Sequence, residues 1–321
     1  MDKKSTQRGR AGQYSEMKLS MIQRTRLGMR RLWPSRKAEP IDPEILRVIH
    51  DKIQLLGQLG EPQDVGAEVQ LSLGNRVERL LVQGLQTYGG EVDFIRYWAR
   101  LRNERSFFPN TGMYDWLEAQ VLYLLIRCVK PEVVVEISPN YGYSTGFLLL
   151  AMNKNKRGKL YSFDLEEKFH RHALRSFNQV GIDTSRQLFF AADVREAYDR
   201  VFPKQVDVLF MDSDHSYDFA QWYIANLYPR VTEGGLIHAH DVLRHGVKPH
   251  LGDKGEGRAI WEFIQERQVS EKDYLYVSEL VRSQPIKLDV LQQLERYPFG
   301  ETQIGSNNIE QCTSFWIVKH F

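Results

Sequence analysis

The sequence predicts an α/β fold: a parallel sheet covered by helices on both faces. Three observations predict it. Short apolar runs alternate with helical stretches, the runs are apolar on both faces, and each ends at or beside an acid. The strand-like runs fall at 132–137, 159–164, 187–191, 206–211 and 235–239. Helical stretches lie between them, at about 144–154, 167–180, 195–201 and 216–230. Strand then helix, repeated, is the pattern of a sheet buried on both sides. In such sheets ligands bind outside the carboxyl ends of the strands.

Three segments follow in chain order. Residues 1–40 carry eleven Lys and Arg against Asp2, Glu16 and Glu39, a net charge of +8 that leaves −6 for the rest of a chain totalling +2. Such a tail reads as a solvated extension. Alternatively, Leu19, Ile22, Leu27 and Trp33, interleaved with Arg24, Arg26, Arg30 and Arg31, read as a basic amphipathic helix for an anionic membrane surface or a partner. Nucleic acid is not expected, because the remainder is acidic and offers no second basic stripe. Residues 41–112 read as helices: EILRVIHDKIQLLGQL, then Val77–Leu85, then Val92–Leu101. SFFPNTG, 106–112, marks the boundary with the α/β domain, 113–321, which an apolar helix, Leu117–Val129, opens. DYLYVSEL and TSFWIVKHF are aromatic-rich strand candidates that close the sheet as an antiparallel pair around an insert, 284–311.

Hydrophobic content of 42% and charged content of 26% suit a soluble globular protein, and no run approaches the roughly 18 apolar residues of a membrane span. The N-terminus lacks a signal-peptide core, and Cys128 and Cys312 are too few for a disulfide framework, so a cytoplasmic protein is expected. A homo-oligomer is compatible with the insert.

VVVEISPNYGYSTGFLLLAM, Val133–Met152, is a strand, an acid, a loop and a helix. A dinucleotide loop would carry G-x-G-x-x-G, but only Gly142 stands in this one. Five strand ends carry acids or histidines: Glu136–Gly142, Asp164, Asp193, Asp212–His215, and His240 with Asp241. One such Asp is usually a helix cap, and Asp193 fits that reading. Five on one rim repel each other unless cations, hydroxyls or amines bind there. Asp164 is placed to accept two ribose hydroxyls, Asp193 an adenine amino group, and the Val194 amide to donate to the ring. A single-glycine loop suits a small amino-acid moiety better than a pyrophosphate, with Tyr143, Ser144 and Thr145 offering amides and hydroxyls to a carboxylate. Adenosine plus an amino acid is S-adenosylmethionine (SAM).

EISPNYGYST resembles the E-x-G-x-x-x-G-Y-S-T loop of class I SAM-dependent methyltransferases. FMDSDHSY, followed by LYPRVTEGGLIHAHDV, resembles the D-x-D-H-S-Y and P-G-G-x-x-x-x-H-D segments of their small-molecule branch, related to sugar and macrolide O-methyltransferases and to cephalosporin hydroxylase. The likeness covers roughly Met113–Leu280. It implies a Rossmann-like seven-stranded methyltransferase sheet preceded by a helical N-terminal region. It also implies a cofactor site of Glu136, Ser138, Tyr141, Gly142, Ser144, Asp164, Asp193, Val194 and Asp212, and a hydroxyl acceptor on a sugar, polyketide or related small molecule. Ser138 stands where the family has Gly, which a serine tolerates at φ below zero.

In metal-dependent relatives, acids after the fourth and fifth strands bind Mg²⁺, and Asp212, His240 and Asp241 match those places. A histidine in the set turns the expectation toward Mn²⁺ or Fe²⁺, or toward no metal and an acid–base His240. A hydroxyl needs help to lose its proton, and Asp214 and His215 are the candidate catalytic residues; as an alternative, His215 caps the next helix. His238 reads as a buried imidazole rather than half of an H-x-H metal motif. His245 and His250, in a glycine-rich loop, read as part of an acceptor lid. The rival readings are a metal hydrolase, disfavoured because Asp241 directly follows His240, an NAD enzyme, disfavoured by the missing glycines, a cephalosporin-hydroxylase-like enzyme, and a non-catalytic SAM binder.

Overall fold

The computed structural model describes residues 40–62, 74–109, 114–242, 255–277 and 313–321. The basic tail through Glu39, the loop with His245 and His250, the 284–311 insert and Cys312 lie outside the described residues.

Three helices come first: α1 (Pro43–Gln58), α2 (Arg76–Tyr88) and α3 (Val92–Ala99). Each of the first two starts where a short polar side chain takes an orphan amide. Asp42 accepts from Glu44 N at 2.8 Å and Asn75 from Glu78 N at 3.1 Å. Next comes α4 (Trp116–Val129), opened by a capping box between Asp115 and Glu118. The α/β alternation then runs β1 (Val133–Ile137), α5 (Tyr143–Asn155), β2 (Lys159–Asp164), α6 (Glu167–Val180), β3 (Gln187–Ala191), α7 (Val194–Val201), β4 (Val206–Met211), α8 (Tyr217–Asn226) and β5 (Val231–Ala239). Helix α9 (Glu256–Glu266) and strands β6 (Tyr274–Tyr276) and β7 (Phe315–Val318) complete it. All five predicted internal strands are present. The fifth begins earlier than its apolar run, at Val231, because the polar Thr232–Gly234 stretch is taken up as an irregularity in its pairing with β4.

The sheet order is β3-β2-β1-β4-β5-β7-β6. β1 to β5 are parallel, and β7 runs antiparallel to both β5 and β6, as the two aromatic-rich candidates predict. Successive residues alternate between two apolar layers. Val134, Leu160, Val208, Phe210, Leu236 and Trp316 face one, and Val135, Ile137, Phe163, Leu209, Met211 and Ile237 face the other. The first layer contains the cores of α4, α5 and α6 and also those of α1, α2 and α3. The helical N-terminal region therefore shares its core with the sheet.

Trp98 shows how closely. Its indole donates to Tyr143 O at 3.0 Å and lies against Gly146, where an added Cβ would stand 2.2 Å from the indole nitrogen. Only glycine leaves room. SFFPNTG, where composition suggests a boundary, buries Phe107 and Phe108 in the same layer, with Phe108 edge-on to both Trp98 and Tyr143 at 5.2 Å. Fully buried Arg127 bonds Glu91 at 2.8 Å and Glu61 at 3.1 Å, tying α4 to the chain before it.

Candidate active site

Parallel registration levels the strand ends. Ile137 pairs with Met211 and Phe163, and Met211 pairs with Ala239, so Ser138, Asp212 and His240 come next along one line. The Ser138, Asp212 and His240 amides each bond the neighbouring strand, at 2.7, 3.3 and 3.0 Å.

The loop after β1 has three left-handed positions: Ser138 at φ 63°, Asn140 at 50° and Gly142 at 85°. The condition under which a serine is tolerated without strain at position 138, φ below zero, is therefore not met. The backbone needs a glycine-like conformation there, and a serine supplies it at a cost of about 1 kcal/mol or more. Asn140 tolerates the region better than most residues. Gly142 has a second constraint, because a Cβ would meet Ala173 at 2.7 Å. The loop thus holds a glycine-like backbone at three alternate positions, only one of which is glycine in the sequence.

Beneath the loop lies Glu136, fully buried, which accepts from the hydroxyls of Ser144 at 3.0 Å, Thr145 at 2.9 Å and Ser162 at 3.0 Å. Burial pushes its carboxyl up to about 7 against the pull of those hydroxyls. Glu136 and the hydroxyls of Ser144 and Thr145 are thus spent on one another inside the protein. What those residues offer the rim is the amides of the first turn of α5, which lack intrahelical partners. Asp164 holds the loop from the side, accepting from Asn140 N at 3.0 Å and Glu166 N at 2.9 Å, with a lone pair left on each oxygen. Tyr141 packs on Phe169, ring centres 4.6 Å apart. Asp193 is the N-cap of α7, accepting from Arg195 N at 2.9 Å and pairing with its guanidinium at 2.5 Å, while Val194 is buried. Two residues were missed. Leu165 is 66% exposed between Asp164 and the end of β3, and Asn140 Oδ1 is buried with no partner. Neither has a sequence signal beyond its neighbour.

On the other half of the rim, Asp212, His215, His240 and Asp241 come together. His240 Nδ1 lies 3.2 Å from Asp212 Oδ1 and 3.8 Å from Asp241 Oδ1. His215 Nε2 lies 3.4 Å from Asp241 Oδ2 and 3.9 Å from Asp212 Oδ1. Adjacent His240 and Asp241 face one cluster because Asp241 turns left-handed, φ 56°. Two acids that sequence reasoning missed stand behind the histidines. Glu256, the first residue of α9, lies 2.8 Å from His215 Nδ1 and accepts from Tyr223 at 2.7 Å. Glu118 lies 3.3 Å from His240 Nε2. The Thr313 hydroxyl donates to Asp241 at 3.0 Å.

Burial pulls the His215 imidazole down, but the bond and charge of Glu256, with Asp212 and Asp241, outweigh it and the net shift is upward. Asp214 is not in the cluster: its oxygens accept from the amide and hydroxyl of Ser216 at 3.2 and 3.0 Å. His238 is the buried imidazole expected, stacked on Phe210 at 4.2 Å with Tyr114 Oη 2.8 Å from its Nε2, and burial lowers it to about 3. Among the described residues, no three His, Cys, Asp or Glu side chains form a group ready to hold a metal ion. Of the three matched positions, His240 and Asp212 share a hydrogen bond, while Asp241 lies 3.8 Å from His240 Nδ1 and bonds Thr313.

Residues 135–242 match a family model described as a methyltransferase domain. A protein of Mycobacterium sp. (strain JLS) named "Putative O-methyltransferase" is 30% identical over 174 residues, covering 54% of this chain and 76% of the relative. A Mycobacterium tuberculosis (strain ATCC 25618 / H37Rv) protein named as an O-methyltransferase is 26% identical over 174 residues, covering 54% and 75%. Among solved structures, an O-methyltransferase from Bacillus cereus in complex with SAH matches with a TM-score of 0.45 and 14% identity, over 85% of this chain and 100% of that one. No helix among the described residues is long and apolar enough to cross a membrane. With its 3-2-1-4-5-7-6 sheet, its loop after β1 and its curated relative at 30% identity, the chain belongs to the class I SAM-dependent O-methyltransferases.

Proposed function

We propose that the chain methylates a hydroxyl of a small molecule, a sugar or polyketide by resemblance, with His215 as the base that takes the hydroxyl proton. The observation that carries the reading is the His215–Glu256 pair. Glu256 fixes Nδ1 at 2.8 Å and so leaves Nε2 at the rim, where a hydroxyl can meet it. The upward shift of His215 suits a group that must accept a proton and hold it. Asp214 bonds Ser216 and stands outside the cluster of His215, His240, Asp212 and Asp241, so it has no part in this reading.

The cofactor half fits SAM on three counts: the left-handed loop brings backbone close, Asn140 Oδ1 waits for a partner, and Leu165 offers an apolar face beside Asp164. Asp164, Leu165, the Ser138–Gly142 loop and the Asp193–Val194 cap would hold it. When bound, SAM supplies an electrophilic methyl group, and alignment of the acceptor does most of the remaining work. Glu136 keeps the loop in place from below through the hydroxyls of Ser144, Thr145 and Ser162.

Calorimetry with S-adenosylhomocysteine and a labelled-methyl screen of hydroxyl acceptors test the reading. Binding by the wild type, with transfer lost in His215→Asn while binding persists, supports it. No binding, or transfer undiminished in His215→Asn, rejects it.

A further inference from the structure

His215 and Glu256 stand at the roots of two helices. Ser216, the residue after His215, is the N-cap of α8 and forms an antiparallel bridge with Gly255, the N-cap of α9. The Glu256 amide closes the join by donating to His215 O at 3.0 Å. Where the first turns of α8 and α9 meet lies a hollow of about 440 Å³ lined by Ser216, Tyr217, Asp218 and Arg258. That volume falls among those of small-molecule sites. One wall begins directly after His215, and the other begins just past Glu256.

The lining carries hydrogen-bonding groups of both kinds. Arg258 gives its Nε to Glu262 at 2.7 Å, and its terminal nitrogens bond no described residue. No described residue bonds the exposed Asp218 carboxylate. The Tyr217 ring is fixed beside them: its hydroxyl donates to Glu262 at 2.5 Å, and the Arg258 guanidinium lies 5.8 Å from the ring centre. This set discriminates among ligands. A phosphate or carboxylate would meet Asp218, with Glu262 behind Arg258 and Asp214 on Ser216. An ammonium group would meet Arg258. An apolar group would strip water from Asp218 and Arg258 and return no hydrogen bond. A sugar hydroxyl both donates and accepts, so neighbouring hydroxyls can give to the carboxylate and take from the guanidinium. The C–H face of the same ring can pack on Tyr217.

We propose that this hollow is an acceptor subsite for a neutral polyhydroxylated ring, with Asp218 and Arg258 as the residues that select it. The proposal rests on the reading above that the rim methylates a hydroxyl, and it favours a sugar over a polyketide. The subsite adjoins the base, so a molecule anchored there has a hydroxyl to present to the rim.

The test reads binding first and needs no turnover. Saturation-transfer spectra are recorded on the wild-type protein with S-adenosylhomocysteine and four neutral probes: the methyl glycosides of glucose, galactose, mannose and rhamnose. Glucose 6-phosphate, glucosamine and phenol serve as contrasts. At least one neutral glycoside is expected to bind, and to bind more tightly than all three contrasts. Asp218→Ala and Arg258→Ala should each weaken it about fivefold or more, while S-adenosylhomocysteine affinity stays within about twofold. Both side chains are exposed, and thermal melts check that the variants fold. On a sugar acceptor found by methyl-transfer screening, the same variants should raise KM about fivefold at nearly constant kcat, as loss of uniform binding does. Binding of none of the four glycosides, preference for a charged or apolar contrast, or unchanged glycoside binding in both folded variants would overturn the proposal. Transfer undiminished in His215→Asn would instead count against the proposed base, and leaves the glycoside measurements to decide the subsite.

Discussion

The ends of β1, β2 and β3 present a surface made largely of backbone, whereas the ends of β4 and β5 present one made of ionisable side chains. On the first half, Asp164 and Asp193 accept from amides, Glu136 is sealed below by hydroxyls, and the loop is shaped by three left-handed residues. On the second half, His215 and His240 stand among Asp212, Asp241, Glu118 and Glu256. A backbone surface suits a ligand that is the same in every turnover. A side-chain surface suits an acceptor and the movement of its proton. The contrast also separates the experiments: changes on one half should move cofactor affinity, and changes on the other should move rate.

The largest effect is expected at His215. Loss of a general base costs about 10²- to 10⁴-fold, so His215→Asn should remove most turnover on an identified acceptor and leave S-adenosylhomocysteine affinity unchanged. Should affinity fall as well, the two halves are not independent.

Glu256→Gln comes next. Glu256 is the main group raising His215 against burial, so its removal lowers the base. A base works when deprotonated, and activity therefore rises with pH through the His215 pKa. The rising limb should start at lower pH in Glu256→Gln, with the plateau rate reduced about tenfold as the ring loses its orientation. A pH–rate profile checks both. A limb that stays in place would show that His215 is not the group titrating.

Asp164→Ala probes the first half. A charge-assisted contact is worth about 1.5–3 kcal/mol, so cofactor affinity should fall tenfold or more. The Asn140 amide loses its partner as well, which adds to the loss. Calorimetry measures it, and undiminished affinity in a folded variant would take Asp164 out of the cofactor site.

The smallest change is expected from Ser138→Gly. Relief of the left-handed strain is offset by the greater freedom of glycine in the unfolded chain, so stability should change by less than about 1 kcal/mol. Ser138→Val has no such offset, and a β-branched residue at φ 63° should destabilise by about 1–3 kcal/mol. Denaturant melts of the pair distinguish a loop held left-handed from one that can relax.

The sequence by itself determined the strands and the line of their ends. A buried parallel strand is apolar along most of its length, and the residues that leave it are the first free to be polar, so Asp164, Asp193, Asp212 and His240 stand out in the chain, and Glu136 stands out as the acid inside β1. Read one at a time, they did not show which way each side chain turns. The tertiary structure decided that Asp214 bonds back to Ser216 while His215 reaches the rim, because Glu256 arrives from another helix to hold it. It decided that Ser138 adopts a glycine's conformation, since the Ser138 amide must meet Phe163 on the neighbouring strand. It also brought Glu118 to His240 and Thr313 to Asp241, each from a distant part of the chain. Periodicity and turn chemistry act over a few residues and are written locally. The partner of a buried charge is set by whichever segment folding brings within about 3 Å, and no local pattern in the sequence records it.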